Sequence, residues 1–216
     1  MTFRGWGPEA LEFFEGLEAD NSKSYWQKNK STYEAKVLGP MQELLAELEP
    51  EWGEGTIFRP YRDIRFSTDK SPYKTNIAAM VGPGYVHLNA DGLGAGMGMY
   101  HMAPDQLERF RLAVADDRTG GELEVIVADL KAARIDVTAH ETLKTAPRGF
   151  PKYHPRLDLL RLKGLISWRE WPPGAWLATR KAKDRIVEFL ERSKPLNAWL
   201  EANVVQTTQP EPLRRG

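Results

Sequence analysis

The 216-residue sequence contains no cysteine, no excess of charge of either sign and no long apolar run. The absence of cysteine excludes a disulfide scaffold, a zinc ribbon and a thiol nucleophile. Thirty Lys and Arg residues balance thirty Asp and Glu residues, which argues weakly against a nucleic-acid or membrane-surface protein that is held by bulk charge. No apolar run approaches the roughly 18 residues that a membrane-spanning helix needs.

The first twenty residues also lack a basic segment followed by an apolar stretch, which is the pattern of a secretory signal peptide. We therefore expect a cytoplasmic protein with no membrane segment. Hydrophobic residues make up 41% and charged residues 28% of the chain, an ordinary globular composition that can bury a core without covalent or metal staples. We expect a single domain over residues 1–205. The tail over residues 206–216 has no apolar face and is expected to be disordered.

Apolar periodicity predicts helices first, then several strands in succession, then helices again. In chain order the predicted elements are helices 8–19, 24–37 and 41–48, strands 57–66, 76–81, 85–90 and 93–101, helices 103–115 and 119–134, strand 135–137, helix 155–162, strand 165–171, and helix 176–190 extended or restarted at 195–204. This order predicts an α+β fold with a central, mostly antiparallel sheet that N-terminal and C-terminal helices pack.

A glycine-rich β-hairpin is the clearest local signal. The pair Asp91-Gly92 lies between two alternating runs, the strongest short-range indication of a two-residue turn. This turn places Val86, Leu88 and Met97 in the core, and His87 opposite Gly96 on a face whose second strand has glycine at every other position. Such glycines cost stability, so we expect either a ring or helix of the protein or a flat ligand to approach this face closely.

Basic residues concentrate in two segments. Residues 58–74 contain five basic and two acidic residues, net +3, and residues 144–175 contain seven and two, net +5. Two interpretations stay open. The segments pair with acidic helices of the same protein, or both line one anion-attracting cleft.

The first basic segment supplies most of the candidate ligand-binding residues. Alternation places Arg62 among apolar neighbours, so we expect it to be buried and paired with a carboxylate or a bound anion. Arginines and lysines beside a Ser-rich turn suit a phosphate or carboxylate. The candidate ligand-binding residues are Arg62, Arg65, Lys70, Lys74 and Arg148, and the candidate catalytic residues are His154, His87 and Tyr73.

The second basic segment contains His154, which directly precedes a predicted helix. A helix N-terminus favours anions, and a histidine there could hold a ligand or act as acid or base. The alternative is a loop histidine bonded to backbone. If the segments share a cleft, Arg65, Lys70 or Lys74 lies close to His154 or Arg148, above the glycine face of the hairpin.

Other chemistries find little support. The chain has no H-x-x-x-H pair, so we expect no metal site, and it has no G-x-S-x-G of the serine acyl-transfer enzymes. The glycines of 92–98 fit no G-x-G-x-x-G, so we expect no cofactor. Three functions stay open: a binder of, or enzyme acting on, a small anionic ligand, phosphorylated ligands included; a nucleic-acid or protein-interaction module; and a purely structural charge network. Whether a reaction is catalysed, on which substrate and in which oligomeric state does not follow from the residues.

The first basic segment resembles a bacterial and fungal family called domain of unknown function 2461. The run F-R-x-Y-R-D-x-R-F-S-x-D-K-S-P-Y-K-T carries this resemblance. Further matching positions are Asn21, Trp26 and Tyr33, the strand Tyr85-x-His87-Leu88, the run P-R-G-F-x-x-x-H-P from Pro147 to Pro155, and Leu159-Leu160-Arg161-x-Lys163. The resemblance covers roughly residues 2–205. It implies a single domain, and it supplies no reaction because the family has no assigned activity.

Overall fold

The computed structural model describes residues 2–65 and 68–204. In this part of the chain the strands are β1 (Gly55–Ile57), β2 (Asn76–Val81), β3 (Gly84–Asn89), β4 (Gly92–Met99), β5 (Asp136–Thr138) and β6 (Leu165–Trp171). The helices are α1 (Pro8–Ala19), α2 (Lys23–Thr32), a π-helix (Tyr33–Leu38), α3 (Gly39–Trp52), α4 (Pro104–Ala115), α5 (Asp117–Ala132), α6 (Leu157–Leu160) and α7 (Lys181–Val204).

The six strands form one antiparallel sheet in the order β1-β2-β3-β4-β6-β5. N-terminal helices precede it and the long helix α7 follows it, so the predicted α+β class is confirmed. The predicted bounds of β2 and β6 are confirmed to the residue. Phe66 and residues 206–216, for which a strand end and a disordered tail were predicted, lie outside the described residues. None of the helices described is long and apolar enough to span a bilayer.

The chain divides into two compact units. The described part of the first unit comprises residues 2–65, 68–95 and 170–188, and that of the second comprises residues 96–169 and 189–204. The division falls within β4, β6 and α7 rather than at a linker. The single domain expected over residues 1–205 stays a prediction.

The core of the first unit lies on one face of strands β2 and β3. Ile77 and Leu88 face each other across the two strands, as do Ala79 and Val86, and all four are fully buried. Helix α3 packs against β1 and β2. This alternation makes one sheet face apolar, and it confirms the prediction that Val86 and Leu88 are buried.

The segment from Lys23 to Trp52 stays helical throughout, although Gly39-Pro40 was predicted to end a helix. A π-helix precedes the proline and lets the helix continue. In it, the Gly39 N–H donates to the carbonyl of Glu34, five residues earlier in the chain. Pro40 then lies in the first turn of α3, where its missing N–H costs nothing. The break predicted at this position is therefore wrong, because a wider helical turn precedes the proline.

The hairpin forms with a register different from the predicted one. Strand β3 ends at Asn89 and β4 begins at Gly92, so Ala90-Asp91 is the two-residue connection. His87 consequently lies against Gly94 rather than Gly96, and a side chain at Gly94 would collide with its imidazole. Gly92, the residue predicted to complete the turn, is instead the first residue of β4, with a φ of 123°.

In the second unit, buried Arg156 joins α6 to the junction between α4 and α5. Its Nε donates to the Val114 carbonyl (2.8 Å) and its guanidinium donates to the carbonyl of Asp116 (3.2 Å) and the carboxylate of Asp117 (2.8 Å). The Asp116 side chain caps α5, where Thr119 was predicted as the cap. Arg156 thus supplies a donor to the Val114 carbonyl, which lies in the last turn of α4, where carbonyls lack helical partners.

Adjacent glycines in α5 provide a matched test of this packing. A Cβ at Gly120 would collide with the Val114 carbonyl and the Arg156 guanidinium, whereas one at Gly121 would meet nothing within 4 Å. We expect Gly120→Ala to lower the free energy of unfolding by about 1–3 kcal/mol through overpacking. Gly121→Ala should raise it by up to about 1 kcal/mol through helix propensity. Urea unfolding of both variants checks this, and equal effects would contradict the described packing of Arg156.

Candidate functional site

Two of the candidate arginines are already neutralised within the basic segment itself. Arg62 forms an ion pair with Asp69, and the Arg65 guanidinium donates to both carboxylate oxygens of Asp63 at 2.9 and 2.6 Å. Hydrogen bonds from Arg65 hold the pKa of Asp63 at about 2, and nearby Arg59 adds to this effect. Lys70 donates to the Ile64 carbonyl at 3.0 Å. The carboxylate partners of Arg62 and Arg65 come from the segment itself, not from the acidic N-terminal helices.

Arg62 is paired, as predicted, but the ion pair is partly open to solvent. The Arg62 side chain is 32% exposed and that of Asp69 is 53% exposed. The predicted alternation fails because β1 ends at Ile57, and the chain beyond it pairs with residues 72–74 instead. The Arg62 N–H donates to the Pro72 carbonyl, and the Lys74 N–H donates to the Pro60 carbonyl.

Lys74 and Arg59 are the two cations of this segment whose side chains have neither a carboxylate partner nor a hydrogen bond among the described residues. The Lys74 amine lies over the Phe58 ring, 5.6 Å from its centroid. Burial and the neighbouring charge of Arg59 both lower the pKa of Lys74. Two like charges are therefore held near each other, and the carboxylate that acts on Arg59 from a distance, Asp63, is engaged by Arg65.

An aromatic pocket lies next to these cations. Its volume is about 330 Å³. Side chains of α2, the π-helix and the extended segment after β1 line it, among them Trp26, Lys30, Tyr33, Glu34, Phe58, Arg59 and Tyr61. Lys30 and Glu34 form an exposed ion pair of 3.5 Å. Of the two cations that line the pocket, Lys30 is therefore paired, and Arg59 has no carboxylate partner among the described residues.

The pocket walls are rigid because their rings pack on one another. Trp26 stacks on Tyr73 with a centroid distance of 4.4 Å and an interplanar angle of 6°. The ring centroids of Tyr33 and Tyr61 lie 4.9 Å and 6.1 Å from the ring centroid of Trp26. Burial and the nearby Tyr61 raise the pKa of Tyr33 to about 12, so its hydroxyl stays neutral and can donate a hydrogen bond.

Tyr73, a candidate catalytic residue, packs on Trp26 of this wall. Its ring is buried against Trp26. The Asn21 side chain makes two hydrogen bonds with the Tyr73 backbone. The Tyr73 N–H donates to Asn21 Oδ1 at 3.0 Å, and Asn21 Nδ2 donates to the Tyr73 carbonyl at 3.1 Å. Burial, with a smaller effect of Tyr61, raises the pKa of Tyr73. These contacts describe a residue that positions the basic segment on α2.

His87 lies on the face of the sheet opposite that of Val86 and Leu88. Rings of the protein cover two glycines of β4 on this face. The imidazole of His87 covers Gly94, and the indole of Trp168 covers Gly96. The close approach expected at this face is therefore made by aromatic rings, one of the two alternatives that the sequence left open. Burial lowers the pKa of His87, and the nearby Glu170 carboxylate opposes this effect.

The candidates of the second basic segment lie in the second unit. Arg148 is exposed. His154 accepts a hydrogen bond at Nδ1 from the Arg156 N–H at 3.1 Å, which matches the loop histidine bonded to backbone that the sequence left as an alternative. Helix α6 behind it has only four residues. The cleft shared with the first segment stays a prediction.

Sequence reasoning missed two important residues. Arg59 was counted in the basic segment but not chosen as a candidate, because its lack of a carboxylate partner depends on the three-dimensional neighbours of each charge. Arg156 was read as one cation among several, and adjacent Gly120-Gly121 is the only local sign that something packs closely on α5. In residues 2–65 and 68–204, no group of three His, Asp or Glu side chains could hold a metal ion.

Alanine variants of Arg62 and Arg156 should differ in their effect on the free energy of unfolding. Arg62→Ala removes a solvent-exposed ion pair and should leave the free energy of unfolding close to that of the wild type. Arg156→Ala leaves the Val114 carbonyl without its donor and empties a packed site, so it should cost about 2–4 kcal/mol. Urea unfolding at pH 7 measures both. A larger loss for Arg62→Ala would reverse this assignment.

His87 predicts a component of the pH dependence of stability. Its pKa in the folded protein lies below the value of about 6.5 expected for the unfolded chain. The unfolded chain therefore gains the proton first, and stability falls as the pH drops from about 7 towards 5.5. We expect His87→Gln to show a shallower fall over this range in urea unfolding. If the free energy of unfolding of the wild type and of His87→Gln fell with the same slope over this pH range, the lowered pKa of His87 in the folded protein would be ruled out.

The family described as conserved hypothetical protein (DUF2461) matches residues 9–199. This range includes the pocket, the first basic segment, the hairpin and the Arg156 junction. No curated protein and no solved structure matches the chain. Because the match covers most of the sequence, the chain belongs to the DUF2461 family.

Proposed function

We propose that the first unit binds a small anionic ligand with a flat, apolar part in the aromatic pocket. The observation that carries this proposal is the position of Arg59. Its charge lies in the wall of a ring-lined pocket and has no carboxylate partner among the described residues. An arginine in this setting suits a phosphate or carboxylate group, which its planar guanidinium can bind with two hydrogen bonds.

The charges around the pocket favour an anion over a cation. Glu34, its one carboxylate, is engaged by Lys30, which leaves Arg59 to set the local sign. Lys74 adds a second positive charge, because it packs on the Phe58 ring that also lines the pocket. An aromatic cage for an organic cation would instead need a negative or neutral rim.

The size and walls of the pocket favour a ligand with one ring. About 330 Å³ lies at the small end of the range for small-molecule sites. Tyr61 is 50% exposed, so its ring is available to cover a planar group. The Tyr33 hydroxyl, neutral up to high pH, can donate a hydrogen bond to a polar substituent.

This proposal relocates the anion site within the basic segment. Arg62, Arg65 and Lys70 would have to exchange their present partners for a ligand, whereas Arg59 and Lys74 have none to exchange. The segment then has two parts. One part neutralises itself and shapes the chain, and the other presents positive charge.

A panel of three probes tests the proposal: phenyl phosphate, inorganic phosphate and benzyl alcohol at equal ionic strength. Phenyl phosphate should raise the melting temperature more than either of the others, because only it supplies both the ring and the anion. Arg59→Ala should weaken phenyl phosphate binding by about tenfold or more, measured by isothermal titration calorimetry.

Arg65→Ala is the matched control, because it removes an arginine of the same segment that is already paired. It should bind phenyl phosphate as the wild type does. If Arg65→Ala abolished binding and Arg59→Ala did not, the site would lie in the self-paired part of the segment. Equal effects of phenyl phosphate and phosphate on the wild type would show that the pocket rings make no contribution.

A further inference from the structure

A second charged surface lies in the second unit, on the loop of residues 144–153, the basic loop. No Asp or Glu occurs between Glu141 and Asp158. The loop presents three cations, Lys144, Arg148 and Lys152, and all three are exposed. None of them makes a side-chain hydrogen bond or ion pair with a described residue. Although the whole chain has no net charge, this loop is locally and uniformly positive.

The same loop carries an exposed aromatic ring. Tyr153 is 90% exposed, and its ring contacts no other aromatic ring and forms no hydrogen bond within the described residues. Lys152 precedes it directly. Single-stranded nucleic acids are bound by this combination, in which cations follow the phosphates and an aromatic ring stacks on a base.

The basic loop is held firmly at both ends. Before it, the Leu143 N–H donates to the Arg161 carbonyl at 2.8 Å, Arg161 Nε donates to the Leu143 carbonyl at 2.5 Å, and Glu141 pairs with Lys163. After it, Arg156 is buried against the α4–α5 junction.

Turns inside the loop add to this order. The Phe150 N–H donates to the Pro147 carbonyl, the His154 N–H donates to the Pro151 carbonyl, and Gly149 has a φ of 90°. The three cations and the ring are thus presented on an ordered loop, which lowers the entropy lost on binding.

We propose that the basic loop binds single-stranded nucleic acid, with Lys144, Arg148 and Lys152 on phosphates and Tyr153 stacked on a base. This site uses none of the pocket residues and does not depend on the function proposed for the pocket. An acidic peptide could meet the same cations, but it would gain nothing comparable from the exposed ring. The ring therefore favours nucleic acid.

Fluorescence anisotropy of a labelled twelve-residue oligothymidylate tests the proposal with the full chain at 50 and 200 mM salt. We expect binding at the lower salt that weakens at the higher salt. Removing all three cations to alanine should reduce the slope of log affinity against log salt by about two. Tyr153→Ala should weaken binding about tenfold, and Tyr153→Phe should restore it, because stacking needs the ring and not the hydroxyl.

A matched control removes three exposed lysines elsewhere, Lys23, Lys28 and Lys181, and should leave the affinity within about twofold. Equal losses in the two triple variants would overturn the proposal in favour of bulk charge. Absence of binding at 50 mM salt would also overturn it. So would a poly-glutamate peptide that binds as tightly as the oligonucleotide and is indifferent to Tyr153→Ala, since the partner would then be an acidic protein.

Discussion

The parallel stack of Tyr73 on Trp26 determines where the whole basic segment lies. One residue belongs to helix α2 and the other to the chain just before β2, so a single ring contact fixes a loop-rich stretch against a helix. The two hydrogen bonds between Asn21 and the Tyr73 backbone prevent this stretch from sliding along the helix. Through the bridge between Tyr61 and Tyr73, the same contact sets the outer wall of the aromatic pocket. The pocket is therefore a by-product of how the segment is anchored.

Charge in the basic segment illustrates what a linear sequence can and cannot show. Its excess of cations is plain from composition, and it suggested an anion site. The arginines that looked most suitable, Arg62 and Arg65, are paired with Asp69 and Asp63 of the same segment. Spacing alone does not select these pairs, because Arg59 is only four residues from Asp63. Which cations stay unpaired depends on how residues 60–62 pair with residues 72–74.

The fold itself was largely predictable because its signals are periodic. The strand 76–81 is a short apolar run, and the strand 165–171 alternates over its first residues. The order of elements was enough to indicate an antiparallel sheet. The errors arose where one residue changes the phase of a pattern. The hairpin connection lies one residue earlier than Asp91-Gly92 indicates, which brings His87 against Gly94. Gly39-Pro40 is accommodated by a π-helical turn that composition alone does not reveal.

That π-helical turn also sets the rotational phase between two parts of one long helix. Each residue advances an α-helix by about 100°, and a π-turn acts as a one-residue insertion. With it, α2 directs Trp26 towards the pocket while α3 buries Leu44 and Leu48 in the core. Without the extra residue, α3 would be rotated by about a quarter turn and its leucine stripe would leave the sheet. The turn is thus the coupling through which a single uninterrupted helix serves both a binding surface and a hydrophobic core.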